Sequence, residues 1–250
     1  MTNPDFLNTF GNPQAAFLGI IVSIYNVGCF VGCALNFYLG AHFGRRQAIW
    51  MAMSLVALGA VIQCTSYAVP QMMVGRFITG LGVGIDTSTV PMYQAELCKP
   101  DVRGRLVTTE VFFVALGVSF AYFLDFGFSF IPGPVAWRVP IALQIPLALA
   151  VSVLVIGLPE TPRWLWQQGQ TDEAVSVMVK VYGIPETDPY VVHECEEINK
   201  AIEIESSSPF KWSRITQRDA LQTGYRVGLA CLVLFMNQVR GIIRLCLVRC

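Results

Sequence analysis

The chain has 250 residues, 54% of them hydrophobic and only 14% charged, and its 17 basic and 17 acidic side chains cancel to a net charge of zero. Soluble domains carry roughly 25% charged residues, so this composition argues against a water-soluble globule and for lipid as the solvent. Zero net charge removes the bulk attraction to nucleic acid, and the eight Cys, most of them inside apolar runs (Cys29, Cys33, Cys64, Cys231) or in a predicted cytoplasmic segment (Cys195), lack metal-ligand spacing and are read as reduced, structural thiols.

A helix needs about 20 mostly apolar residues to cross about 30 Å of hydrocarbon. In chain order, residues 15–39 and 47–67 are uncharged runs of that kind. Residues 72–94 form a third, interrupted by Arg76 and Asp86, and residues 106–126 a fourth, containing Glu110 and Asp125. Residues 139–158 form a fifth, again uncharged, and residues 227–239 a sixth that is too short before Arg240 to cross unaided. The expected fold class is all-α, a polytopic helical membrane protein. Residues 1–158 are expected to form a five-span bundle, residues 159–224 a cytoplasmic helical linker subdomain, and residues 225–250 a partial, atypical sixth span.

The loops set the orientation. Residues 40–46 carry Arg45 and Arg46, residues 98–105 carry Lys99, Arg103 and Arg105, and residues 159–226 are long, polar and basic. The alternate segments, residues 1–14, 68–75 and 127–137, contain no Lys or Arg. Basic loops mark the cytoplasmic side, which places the N-terminus outside. No basic stretch followed by an apolar core is visible there, so no signal peptide is expected. An outward N-terminus of that kind would follow if a first helix had been lost upstream.

The linker reads as three short helices. Thr161 stands at an N-cap position with Pro162 at the first helical position, where its missing N–H costs nothing, and Gly169 suits the stop. Thr171, Asp172 and Glu173 open the second, with Ala174, Val175, Val177, Met178 and Val181 as its apolar face and Gly183 as its end. Residues 194–204 read as the third, with Cys195, Ile198 and Ile202 on one side.

Four local patterns fall in register with this map. Gly40-Ala41-His42-Phe43-Gly44-Arg45-Arg46 occupies a tight inner loop, and Arg76-Phe77-Ile78-Thr79-Gly80-Leu81-Gly82-Val83-Gly84 opens the third span. Tyr93-Gln94-Ala95-Glu96 leads into Arg103-Gly104-Arg105, and Pro159-Glu160-Thr161-Pro162-Arg163 follows the fifth span. Together they resemble the sugar porter family of the major facilitator superfamily, most closely its fungal sugar and polyol members, over roughly residues 15–239. The resemblance implies a truncated chain holding family helices two to six and part of seven. It also implies transport of a sugar or polyol by alternating access, symport among its forms, in the plasma membrane, with lipid and the small solute as partners.

The glycines at 80, 82 and 84 could be mistaken for a dinucleotide loop, but that motif follows a strand. Inside an apolar span, small residues let helix backbones approach closely. Arg45, Arg46, Glu96, Arg103, Glu160 and Arg163 all fall at inner helix ends. Either they are ordinary positive-inside anchors, or they form a gating charge network. The acids at 96 and 160 favour the network, since orientation needs no acids, and the resemblance implies it too. Where the family usually has Asp, this chain has Ala41, so the network is expected to lack one partner.

Glu110 is an ionisable group within a span, where such a group is costly and usually faces a cavity. It is a candidate for contact with substrate or proton, or for a structural pair with a nearby Arg. The family commonly carries Gln near 110 and 111. Asn237 and Gln238 resemble a paired amide of the family's seventh helix that contacts substrate; an amide offers a polyol both donor and acceptor, and the alternative is an interhelical hydrogen bond. The alternative function is a non-transporting membrane sensor, or a partner of an intact transporter. An enzyme is not expected: there are two His, no HExxH pattern and no Ser/His pairing in a span. No metal or cofactor is expected, and the sequence leaves the oligomeric state open.

Overall fold

The computed structural model describes residues 10, 15–131 and 133–207, together with residues 225, 228, 229, 232 and 236 beyond them. Most of the sixth apolar run, including Asn237 and Gln238, lies outside the described residues. The chain divides into two compact units, Met1–Cys195 and Glu196–Cys250. Secondary structure among the described residues is helical throughout.

Four long helices come first: α1 (Ala15–Phe43), α2 (Arg45–Cys64), α3 (Val69–Leu97) and α4 (Pro100–Phe128). Then come α5 (Val135–Ala142), α6 (Gln144–Ile156), α7 (Pro162–Gln167), α8 (Thr171–Tyr182) and α9 (Pro189–Ser207). By length and composition, four stretches can cross a bilayer: Phe17–Tyr38, Arg45–Cys64, Asp101–Phe128 and Val135–Ile156. The third expected span is the 29-residue α3. It has no stretch that counts among those four, and it is the central helix, packed along both α1 and α2.

The fifth expected span is two helices rather than one. Pro146 has no N–H to donate to the carbonyl of Ala142, and its ring crowds that carbonyl. The α-helix therefore stops at Ala142 and restarts at Gln144, after a turn at Leu143.

The α1–α3 contact is made by glycines. A Cβ at Gly28 would lie 2.5 Å from the Phe77 carbonyl oxygen, and one at Gly82 would lie 2.6 Å from the Ala52 oxygen of α2. Methyl groups at Gly32, Gly80 and Gly84 would likewise collide with the backbone carbonyls of Leu81, Tyr25 and Cys29. Gly80 and Gly84 thus face α1, whereas Gly82 faces α2. Polar side chains tie the same helices. Buried Gln63 donates to the Thr79 hydroxyl at 2.7 Å and to the Gly75 carbonyl at 3.3 Å. Asn36 of α1 donates to Ser88 of α3 at 2.9 Å.

Two apolar clusters close the bundle. Ile21, Met72 and Trp137 form one towards the outer end. At the inner end, Ile49, Tyr93, Leu97 and Val155 are joined by Leu165 of α7 and by Ala174 and Val177 of α8. The expected apolar face of α8 is buried at Ala174, Val177 and Met178, but Val181, one turn further on, is 42% exposed. Thr161 sits at the start of α7 with extended backbone angles but makes no side-chain capping bond. The third linker helix begins earlier than expected, at Pro189, because the Asp188 carboxylate accepts the Tyr190 N–H at 2.9 Å. In contrast to this packed set, no described residue of α4 is buried.

Gly84→Leu should wedge α1 from α3. Overpacking costs about 1–3 kcal/mol, read as a lower melting temperature of the detergent-solubilised protein. Gly117→Ala, where nothing lies within 4 Å of the added carbon, should be neutral or raise it slightly.

Candidate functional site

The groups richest in chemistry gather where α1, α2, α3 and α6 end, on the side that the basic loops assign to the cytoplasm. Helix α2 starts there with its first N–H groups lacking intrahelical partners. Its N-cap residue is Gly44, which has no side chain to offer and adopts φ 84°. A carboxylate from far along the chain fills the gap. Glu160 Oε1 accepts the backbone N–H of Arg45 at 2.6 Å and of Arg46 at 3.1 Å. Gly44 permits this approach, since a Cβ there would stand 2.7 Å from the same carboxylate oxygen. A negative group at a helix N-terminus is also favoured by the helix dipole.

Glu160 is held from behind as well: the Tyr93 hydroxyl of α3 donates to the Pro159 carbonyl at 2.8 Å. Burial pushes the Glu160 carboxyl above its ordinary range. The N–H bonds from Arg46 and Arg45, the Arg46 charge and the N–H of Thr161 all pull the other way. The balance leaves Glu160 easier to protonate than an exposed glutamate.

Arg45 turns its guanidinium to the other acid. Its Nη2 lies 3.2 Å from Glu96 Oε1, with the two side chains 11% and 12% exposed. Its Nη1 donates to the Gly40 carbonyl at the end of α1. One side chain thereby links α1, α2 and α3, while Glu160 links α2 to the segment after α6. Arg103 donates to the Ala95 carbonyl, bracing the turn between α3 and α4. Arg163 is half-buried on α7, three positions after Glu160. Lys99, in that same turn, places its ammonium 5.2 Å from the Tyr182 ring centre and 5.3 Å from that of Tyr190. The two rings meet edge to face at 5.7 Å, so a cation–π contact fastens the turn to α8 and to the start of α9.

Of the expected network, the structure brings together Arg45, Arg46, Glu96 and Glu160. Glu110 is elsewhere, half-buried on α4, with Asp86 of α3 as an electrostatic neighbour. Sequence reasoning missed the roles of Gly44, Tyr93 and Lys99. For Lys99 a signal was present in the tyrosines at 182 and 190, which flank the turn between α8 and α9. Contacts reaching 115 residues along the chain, as from Arg45 to Glu160, leave no local trace.

The sequence matches the family model described as "Sugar (and other) transporter" over residues 4–247. It is 34% identical over 243 residues to the MFS-type transporter oryC of Aspergillus oryzae, covering 95% of this chain and 45% of that protein. It is also 34% identical over 227 residues to the sugar transporter STL1 of Saccharomyces cerevisiae, covering 89% of this chain and 40% of that protein. Among solved structures, the xylose transporter XylE from E. coli, in a partially occluded inward-open conformation, aligns with a TM-score of 0.74 at 27% identity, over 81% of this chain and 54% of that one. XylE bound to 6-bromo-6-deoxy-D-glucose, described as a proton:xylose symporter, gives a TM-score of 0.74 at 26% identity, over 82% and 48%. The chain spans about half the length of the curated relatives it matches.

Arg45→Gln leaves Glu96 nearly buried and unpaired and should cost about 3 kcal/mol. The double variant Arg45→Gln/Glu96→Gln should recover much of that loss, and a thermal-unfolding double-mutant cycle reads the difference. Glu160 titrates higher in the folded state, so its stabilising contribution is full below the ordinary glutamate pKa. That contribution is lost as pH rises through the folded value. Glu160→Gln should flatten the melting temperature across that acidic window, where the unaltered chain should lose stability as pH rises.

Proposed function

The chain belongs to the sugar (and other) transporter family, and from that premise we propose that it furnishes one wall of a transporter moving a sugar or polyol across the plasma membrane by alternating access. The observation that carries this reading is the tie between Arg45, Glu96 and Glu160, which joins the inner ends of four helices by a few polar contacts. Such a tie can be exchanged for water when the inner side opens, and it then biases the equilibrium between two states. Covalent or purely apolar packing would not switch so readily. Arg46, Arg103 and Arg163 act as its neighbours on the same side. Glycines 80, 82 and 84 supply the stiff, closely packed wall against which it works.

On the substrate side, Glu110 is the candidate for a proton-carrying or hydroxyl-binding group, and Asn237 and Gln238 for amide contacts to a polyol. A proton-coupled mechanism suits an acid placed within a span. XylE, described as a proton:xylose symporter, supports that reading.

The test is uptake of radiolabelled hexoses, pentoses and polyols by yeast lacking their own carriers. The chain alone should give little or no uptake. Co-expressed with the complementary half of a relative, it should restore uptake of at least one sugar or polyol. Glu110→Gln should then lower the rate about tenfold, the effect of losing one hydrogen bond to a charged group. Paired halves that both reach the cell surface yet move none of these solutes would overturn the substrate class.

A further inference from the structure

A groove of about 470 Å³ opens between the inner ends of α1, α2 and α6. Its walls are apolar: Phe43 ends α1, Trp50 and Met51 face it from α2, and Ile156 closes it from α6. Phe43, Trp50 and Ile156 are 46%, 47% and 57% exposed, so in water this surface would be costly to keep open. The charged group in its lining is Arg46. Arg46 engages Glu160 through its backbone N–H and through the field of its charge, and no direct ion pair ties its guanidinium among the described residues. Neighbouring Arg45, by contrast, is committed to Glu96.

We propose that this groove binds an anionic phospholipid of the inner leaflet, with an acyl chain along the apolar walls and the phosphate at Arg46. The position fits. The groove lies at the ends of three membrane-crossing segments, so its mouth is level with headgroups and its depth with acyl chains. From Arg46 to Met51 the helix rises roughly 8 Å, enough to carry a chain past the headgroup layer. Trp50 is the amphipathic ring that favours this boundary. The sign of the headgroup follows from charge complementarity, since a cation at the mouth and an anionic inner leaflet attract. This inference does not depend on which solute the protein moves.

The test is native mass spectrometry of the full chain released from mixed phosphatidylglycerol and phosphatidylcholine nanodiscs. The chain should retain one phosphatidylglycerol with about fivefold preference, the effect of one basic residue near a membrane surface. Arg46→Gln should abolish the preference while a lipid of either kind is still retained. Ile156→Trp should fill the groove and remove the retained lipid, with the melting temperature in lipid-free detergent showing that the fold persists. Equal retention of both lipids by the unaltered chain would overturn the proposal. So would a preference that survives Arg46→Gln, or equal stabilisation by water-soluble glycerol phosphate.

Discussion

Lipid gives apolar helices no hydrophobic reason to associate, so this bundle depends on how closely α3 can approach α1. Where Gly28 meets Gly80, Gly32 meets the Leu81 backbone and Gly84 meets that of Cys29, backbone touches backbone. Dispersion forces fall steeply with distance, and this contact is where they are largest. Everything else is arranged around it. Gln63 donates to Thr79, Asn36 reaches Ser88 further along, and α6 packs against α2. The polarity of α3, which makes it look a poor membrane span, is what lets it be the central helix.

The inner end obeys a different rule. Its cohesion comes from a small number of charged and polar groups, each reaching between elements. Glu160 stands in for a capping side chain that Gly44 cannot provide, and Arg45 joins two helices through one guanidinium. These contacts sit above the apolar cluster of Ile49, Tyr93, Leu97 and Leu165, which keeps water from their lower side. Such contacts are strong while dry and weak once wetted. The outer end is held by a different device: the Arg138 guanidinium lies over the rings of Tyr67 and Trp137.

Much of the fold is legible in the sequence, because lipid constrains sequence so tightly. Span length, basic loops and small-residue spacing are local properties, and the helices at Ala15–Phe43, Arg45–Cys64, Val69–Leu97 and Pro100–Phe128 follow from them. The stop at Gly183, in the left-handed region at φ 65°, was equally legible. What hydropathy hid was the break in the fifth span, since Pro146 is invisible to a measure that averages over the run. Val181 has the right spacing for the apolar face of α8 but lies past the surface that could cover it. In the charge cluster, residue types and helix ends were readable. Which acid met which base was not, because Arg45 is separated from Glu96 by 51 positions and from Glu160 by 115.

The interrupted fifth span has a mechanical consequence. Pro140 and Pro146 each remove a rung of the hydrogen-bond ladder, and the turn at Leu143 falls between them. A rod with missing rungs bends most easily where they are missing. Its outer piece carries Arg138, clamped to Tyr67, and its inner piece carries Val155, embedded beside Leu165. Strain arriving from the inner end is therefore absorbed as curvature at Leu143 instead of being delivered to the outer clamp. Both ends of this span can thereby keep their contacts while the rod flexes between them.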